Sequence, residues 1–101
     1  MSIDTRIYYF SAKWCGPCKT FKPIMEKLEA KGYPIYFQDV DEDPILAESY
    51  SIRSVPSIVI TEDGLVKEQM VGIQDLDLLL GKFDAYYPGI QLTEEEVKDE
   101  G

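Results

Sequence analysis

The hexapeptide Trp14-Cys15-Gly16-Pro17-Cys18-Lys19 constrains the fold of this chain most, because it holds both of its cysteines, two residues apart. It follows an apolar run rich in β-forming residues at 7–10 and leads into a segment with apolar residues at spacings of three and four. This pattern predicts a strand that turns into a helix at the cysteines. The first turn of a helix carries free N–H groups and the positive end of the dipole, which stabilise a thiolate. The sequence therefore predicts a redox site at this turn.

The composition argues against several other classes of function. The chain has 101 residues, enough for one domain, and a formal net charge of -9. This charge argues against binding to nucleic acids and to anionic membranes. The chain has no histidine, which is the commonest metal ligand, and two cysteines cannot fill the four ligand positions of zinc without carboxylates or a second chain. We expect no metal and no bound cofactor.

Hydrophobic periodicity predicts four strands and three helices in the order β-α-β-α-β-β-α. The strands are expected at 5–10, 34–40, 57–61 and 65–71, and the helices at 15–31, 44–50 and 74–87. The first two strands are joined by a helix and should be parallel, whereas the last two should form an antiparallel hairpin. The chain is therefore expected to be an α/β protein with a mixed four-stranded sheet and helices on both faces.

The N-terminal residues show neither a basic start nor an apolar run, and no apolar run approaches the ~20 residues that a membrane helix needs. A cytoplasmic monomer is the expectation. In that reducing compartment, two cysteines at this spacing are more often catalytic or metal-binding than a structural disulfide.

The last residues are strongly acidic, and we expect a domain at 1–89 followed by an acidic tail at 90–101. The favoured interpretation of the tail is a solvated, frayed end. The alternative is a short helix that begins at a capping box formed by Thr93 and Glu96. That helix would pack three apolar side chains onto the domain: Ile90, Leu92 and Val97.

The segment from about Ile7 to about Tyr87 resembles the thioredoxin family. The hexapeptide is the signature of that family, and Ser54-Val55-Pro56-Ser57 resembles its loop with a cis-proline opposite the disulfide. Gly64 and Gly72 match its two later glycines. The resemblance implies a thioredoxin fold without the N-terminal strand-helix unit of most members, because only 14 residues precede the first cysteine.

The resemblance also implies an activity, the reduction of protein disulfides. Cys15 would be the attacking thiol, and Cys18 would be the resolving thiol that breaks the mixed disulfide. The substrates would be disulfide-containing proteins, and a thioredoxin reductase or glutathione would supply the electrons.

The groove around the cysteines would bind the substrate. Trp14 and Pro56 would frame it, and the backbone of Val55 would pair with an extended substrate segment. Gly16 and Pro17 would set the turn and the redox poise. The substrate-binding positions that the resemblance implies are thus Trp14, Gly16, Pro17, Val55, Pro56 and Gly72.

The chain departs from the family at the position of its buried aspartate, six residues before the first cysteine. This position is Tyr9 here. The family often places a lysine beside the aspartate, and the matching position here is about Phe37. A tyrosine, with a pKa near ~10, is a poor base at neutral pH. Deprotonation of Cys18 would then depend on water, on a substrate group or on another carboxylate that the sequence does not identify.

Two alternatives remain open at this point. Val71-Gly72-Ile73-Gln74-Asp75 resembles the Gly-Gly-X-X-Asp turn with which glutaredoxins hold glutathione, although Ile73 replaces the second glycine. This favours a glutathione-dependent reductase. The other alternative is a binding module that docks partners through the groove of Trp14 and Pro56, with incidental redox activity.

Overall fold

The predicted order of strands and helices is confirmed, with one further helix at the C-terminal end. The computed structural model of the protein describes residues 3–90 and 92–98. The elements there are β1 (Thr5–Ser11), α1 (Gly16–Ala30), β2 (Ile35–Asp39), α2 (Pro44–Ser49), β3 (Ser57–Glu62), β4 (Leu65–Val71), α3 (Leu76–Tyr86) and α4 (Glu94–Lys98).

The strands form one mixed sheet in the order β2-β1-β3-β4. β1 pairs parallel with β2 and antiparallel with β3, and β3 and β4 form the predicted hairpin. The two residues of the hairpin turn, Asp63 and Gly64, both have positive φ, at 51° and 84°. This is the backbone conformation that a two-residue turn needs to match the twist of its strands.

β1 is buried on both faces because it is a central strand with a helix layer on each side, which explains its continuous apolar run. Ile7 and Tyr9 point into the larger core, and Tyr8 and Phe10 point into the smaller one. The larger core is completed chiefly by α1 and α3, with Phe21, Met25, Leu28, Leu79, Leu80 and Phe83. The smaller core is covered by α2 and the residues after it, with Ala47, Tyr50 and Ile52.

The ends of α1 are fixed by local backbone chemistry. Cys15 is the N-cap and Pro17 lies in the first turn, where a missing N–H costs little. At the other end, Gly32 has φ 123°, its N–H donates to the carbonyl of Glu29, and the N–H of Tyr33 donates to the carbonyl of Leu28. This pair of bonds satisfies carbonyls at the end of the helix. The first turn of α1 is therefore held in a defined place directly after β1.

The described part of the tail forms α4 and packs onto the domain. Thr93 Oγ1 accepts the N–H of Glu96 at 3.3 Å, which caps the helix, and Val97 is 2% exposed. Ile90 and Leu92 pack against the same core. The favoured interpretation of a frayed end is therefore wrong for residues 92–98, and the alternative of a short packed helix is confirmed there. The apolar side chains decide this, because burying them outweighs the local excess of acidic residues.

None of the helices in residues 3–90 and 92–98 is long and apolar enough to cross a bilayer.

Candidate active site

The two cysteines lie at the carboxyl end of β1, where the chain turns into α1. Cys15 and Cys18 are joined by a disulfide, with their Cα atoms 5.3 Å apart. Cys15 is the N-cap of α1 and Cys18 is its third residue. The predicted helix start at residue 15 is therefore one residue early, because Cys15 has an extended backbone conformation with φ -83° and ψ 112°. This brings one sulfur to the positive end of the helix.

The two sulfurs have different surroundings although each cysteine is only 3% exposed. Sγ of Cys15 accepts the backbone N–H of Cys18 at 3.2 Å. It also lies 3.6 Å from the carbonyl oxygen of Val55. An N–H directed at a sulfur favours its charged form, so this geometry favours a thiolate on Cys15 once the disulfide is reduced.

The loop before β3 faces Cys15. The Val55–Pro56 peptide is cis, which confirms the expectation from the family resemblance. The carbonyl oxygen of Pro56 accepts the N–H of Gly72 at 2.8 Å, and Gly72 has φ 86°. This backbone conformation favours glycine. Cys15, the cis-proline loop and Gly72 are thus brought together from three separate parts of the chain.

Trp14 lies directly before the disulfide and is 68% exposed. Its Nε1–H donates to Oδ2 of Asp41 at 2.8 Å, which fixes the indole despite its exposure. Sequence reasoning missed Asp41. A signal was present, since Trp14 follows β1 and Asp41 follows β2, and the carboxyl ends of parallel neighbouring strands meet at one edge of a sheet.

Gly16 and Pro17 form the first turn of α1 between the two cysteines, and both are exposed. A Cβ added to Gly16 would meet no heavy atom within 4 Å. The first turn of α1 beside the disulfide therefore faces solvent.

A sequence model of the family described as "Thioredoxin" matches residues 2–85. The chain belongs to the thioredoxin family. It is 41% identical over 73 residues to a thioredoxin of Chlamydia trachomatis, covering 70% of this chain and 72% of that one. It is 36% identical over 80 residues to a thioredoxin of Staphylococcus aureus, covering 76% and 77% of the two chains.

Solved structures agree with this assignment. A variant thioredoxin from Halobacterium salinarum matches with a TM-score of 0.75 and 36% identity, covering 89% of this chain and 78% of that chain. A thioredoxin of Malassezia sympodialis matches with a TM-score of 0.72 and 30% identity, covering 80% and 73%. With its paired cysteines, this member of the thioredoxin family is a thiol-disulfide oxidoreductase that acts on protein disulfides.

The position of the family's buried aspartate is occupied by an aromatic cluster. Tyr9 pairs in register with Phe37 of β2, as expected, and its ring packs edge-on against Phe37 and Phe21 with centroids 5.7 and 5.9 Å away. Tyr9 is fully buried, and its hydroxyl has no hydrogen-bond partner among the described residues. Burial, assisted by the charge of Glu26, raises the pKa of Tyr9 to about 12. Tyr9 is therefore neutral at physiological pH and does not replace the aspartate as a base.

The turn that resembles the glutaredoxin motif has a structural role here. Oδ2 of Asp75 accepts the N–H of Leu78 at 3.1 Å and caps α3. The side-chain amide of Gln74 donates to the carbonyls of Val71 and Gly72. The helix therefore begins at Leu76, two residues later than the predicted start, because Asp75 is its cap.

Proposed function

We propose that the protein reduces disulfide bonds of other proteins by cycling Cys15 and Cys18 between the dithiol and the disulfide. One observation carries the proposal: the sulfur of Cys15 lies at the start of α1, receives the N–H of Cys18 and faces the cis-proline loop. The thiolate is the species that attacks a disulfide, and this environment stabilises it on Cys15.

Each cycle transfers two electrons from the Cys15/Cys18 dithiol to the partner disulfide. The Cys15 thiolate attacks one sulfur of the partner disulfide and forms a mixed disulfide, while the other partner sulfur leaves as a thiolate and takes a proton. Cys18 then loses its proton and attacks Sγ of Cys15. The internal disulfide forms, the mixed disulfide breaks, and the second partner sulfur leaves and is protonated. The partner disulfide is reduced, and the Cys15/Cys18 dithiol is oxidised.

We infer that the substrate lies across the groove formed by Trp14, Val55, Pro56 and Gly72. The N–H of Val55 donates to no other residue in the described part of the chain, so it is available to an extended peptide. Pairing of this kind gives affinity that depends little on substrate sequence. The exposed indole of Trp14 supplies apolar contact area, and Gly16 and Pro17 are exposed to the partner beside it.

A dithiol that reduces its partners must be returned to the reduced form. We propose that a thioredoxin reductase or glutathione supplies these two electrons, and that the protein works in the cytoplasm, where such systems keep thiols reduced. Insulin reduction followed with each electron source in turn distinguishes the two donors. Cell fractionation with a specific antibody tests the location.

Substrate trapping tests the assignment of the two thiols. Reduced Cys18→Ser is expected to accumulate a mixed disulfide with insulin, because the second exchange has no attacking thiol. The matched control, Cys15→Ser, is expected to trap little. If neither variant traps a partner, a binding module without redox turnover replaces the proposal. If Cys15→Ser traps as well as Cys18→Ser, the two roles are reversed.

A further inference from the structure

A cavity of about 360 Å³ opens beside Cys18 of the disulfide, and neither Val55 nor Pro56 lines it. It lies between the end of β1, the first turns of α1 and the end of β2. Cys18 lines this cavity and Cys15 does not. A water takes up about 30 Å³ in the liquid, so the cavity has room for several. The charged side chains around it are Lys13, Lys19, Lys22, Asp39 and Glu42.

Asp39 is the most firmly held of these charged side chains. It is the last residue of β2, opposite Ser11 of β1, and is partly buried. Its Oδ1 accepts the backbone N–H of Asp41 at 2.8 Å and that of Glu42 at 3.3 Å. Its Oδ2 accepts no hydrogen bond from the residues that the structure describes. One carboxylate oxygen therefore anchors the turn after β2, and the other remains an available acceptor.

The resolving step needs such an acceptor, because Cys18 must lose a proton before it attacks Cys15. The positions that match the family's buried aspartate and lysine do not provide one. Tyr9 is a neutral phenol, and its neighbour Phe37 carries no ionisable group. Phe37 also lines the cavity and gives it an apolar surface, whereas Tyr9 does not line it.

We propose that Asp39 accepts the proton of Cys18 through water in this cavity; the inference rests on the proposed reductase cycle. In the resolving step, the Cys18 proton passes to a water that passes a proton to Asp39. The Cys18 thiolate then forms a bond to Sγ of Cys15, and the bond between Cys15 and the partner sulfur breaks. Asp39 then gives up this proton through solvent and the partner thiolate takes one up, so Asp39 is ionised again at the end.

The three lysines around the cavity support this role. Lys13 precedes the disulfide, and Lys19 and Lys22 project from α1 on the side of the cavity. Positive charges near a thiol favour its ionised form, so the lysines stabilise the Cys18 thiolate that attacks Cys15.

Glu42 provides a matched control, because it lines the same cavity with the same charge but is exposed and does not share the anchored position of Asp39. Asp39→Asn and Glu42→Gln each remove one negative charge. Asp39→Asn also keeps an oxygen that can accept the N–H groups of Asp41 and Glu42. Asp39→Ser is a second neutral variant whose hydroxyl can accept the same bonds. A loss that is seen only in the Asp39 variants indicates proton acceptance by Asp39, whereas a loss shared with Glu42→Gln indicates only the removal of a negative charge near Cys18.

The test uses dithiobis(nitrobenzoate), an aromatic disulfide whose released thiolate absorbs visible light. Stopped-flow absorbance resolves two releases from the reduced protein. The first depends on reagent concentration and reports attack by Cys15. The second does not, and it reports attack by Cys18. We expect Asp39→Asn to slow the second release about ten-fold to a hundred-fold near pH 6.5 and to leave the first unchanged. The difference should shrink as the pH rises and Cys18 ionises without help.

Glu42→Gln should change the second release less than about two-fold. The proposal is overturned if Asp39→Asn and Asp39→Ser both resolve as fast as the unmodified protein at every pH. It is also overturned if Glu42→Gln slows the second release as much as Asp39→Asn. A missing first release would instead contradict the proposed function itself. A first release at the normal rate shows that a variant has kept its folded active site.

Discussion

The hydroxyl of Tyr9 makes a measurable prediction about stability. It is fully buried without a hydrogen-bond partner in the described residues, whereas the ring packs well against Phe21 and Phe37. A buried hydroxyl without a partner costs about 1–3 kcal/mol relative to its state in water. Tyr9→Phe keeps the ring and removes this cost. We therefore expect the free energy of unfolding to rise by about 1 kcal/mol, and the midpoint temperature by roughly 4–8 °C.

Tyr33→Phe is the matched control, since Tyr33 is equally buried but its hydroxyl donates to Oδ1 of Asp84 at 2.9 Å. Removing this donor should lower the free energy of unfolding by about 1–2 kcal/mol. Urea melts of both variants at pH 7, in the oxidised state, give the two values. The opposite signs are the decisive result. If Tyr9→Phe destabilised the protein as much as Tyr33→Phe, the Tyr9 hydroxyl would have a partner, such as a buried water, and the reasoning would be refuted.

Four further predictions concern the thiols, the buried tyrosines and the tail. Alkylation against pH should show Cys15 titrating below the ordinary thiol value of about 8.5 and Cys18 not, and equal reactivity would contradict this. Tyr9→Asp should speed the resolving step near neutral pH, as followed by stopped-flow, and should cost on the order of 3 kcal/mol in urea melts through lost aromatic packing. Burial raises the pKa of Tyr9 and of Tyr33 to about 12, so above pH 10 these phenols lose their protons in the unfolded chain before they do in the folded protein. Urea melts should therefore show the free energy of unfolding falling between pH 10 and 12, by on the order of 2–3 kcal/mol for each tyrosine. Val97→Ala should lower the free energy of unfolding by about 1.5 kcal/mol in thermal melts, because it removes two buried carbon groups, and no change would contradict the packing of α4.

The strand order and the main helices could be predicted because each rests on a short-range pattern. The run at 7–10 is apolar on both faces of β1, and the turn at Asp63 and Gly64 has the residues that a two-residue hairpin needs. The helix starts were less accurate, since Cys15 and Asp75 lie next to helical patterns but act as caps. A cap satisfies the first N–H groups with its side chain while its own backbone stays outside the helix, which periodicity does not reveal.

The partners of the active site could not be predicted in the same way, because they depend on the register between strands. The bond between Trp14 and Asp41 spans 27 positions in sequence, and it requires β1 and β2 to end at the same level of the sheet. The position of Asp39 beside the cavity depends on the same register, which places it opposite Ser11. The sequence pattern marks Asp39 only as a residue near the end of a strand and Asp41 only as a member of the acidic turn after it.

Tyr9 stands where the family has its buried aspartate, so the fold directly supports attack by Cys15 but not resolution by Cys18. Attack by Cys15 depends on the start of α1 and on the cis-proline loop, and both are present in full. Resolution by Cys18 depends on a proton acceptor, and the packed rings of Tyr9 and Phe37 provide none where the family has its aspartate. An acceptor across a water-accessible cavity compensates for this without burying a charge, which spares the core the desolvation cost of an ionised carboxylate. Such an arrangement should make resolution more sensitive to pH and to solvent than attack, since only resolution relies on water to carry its proton.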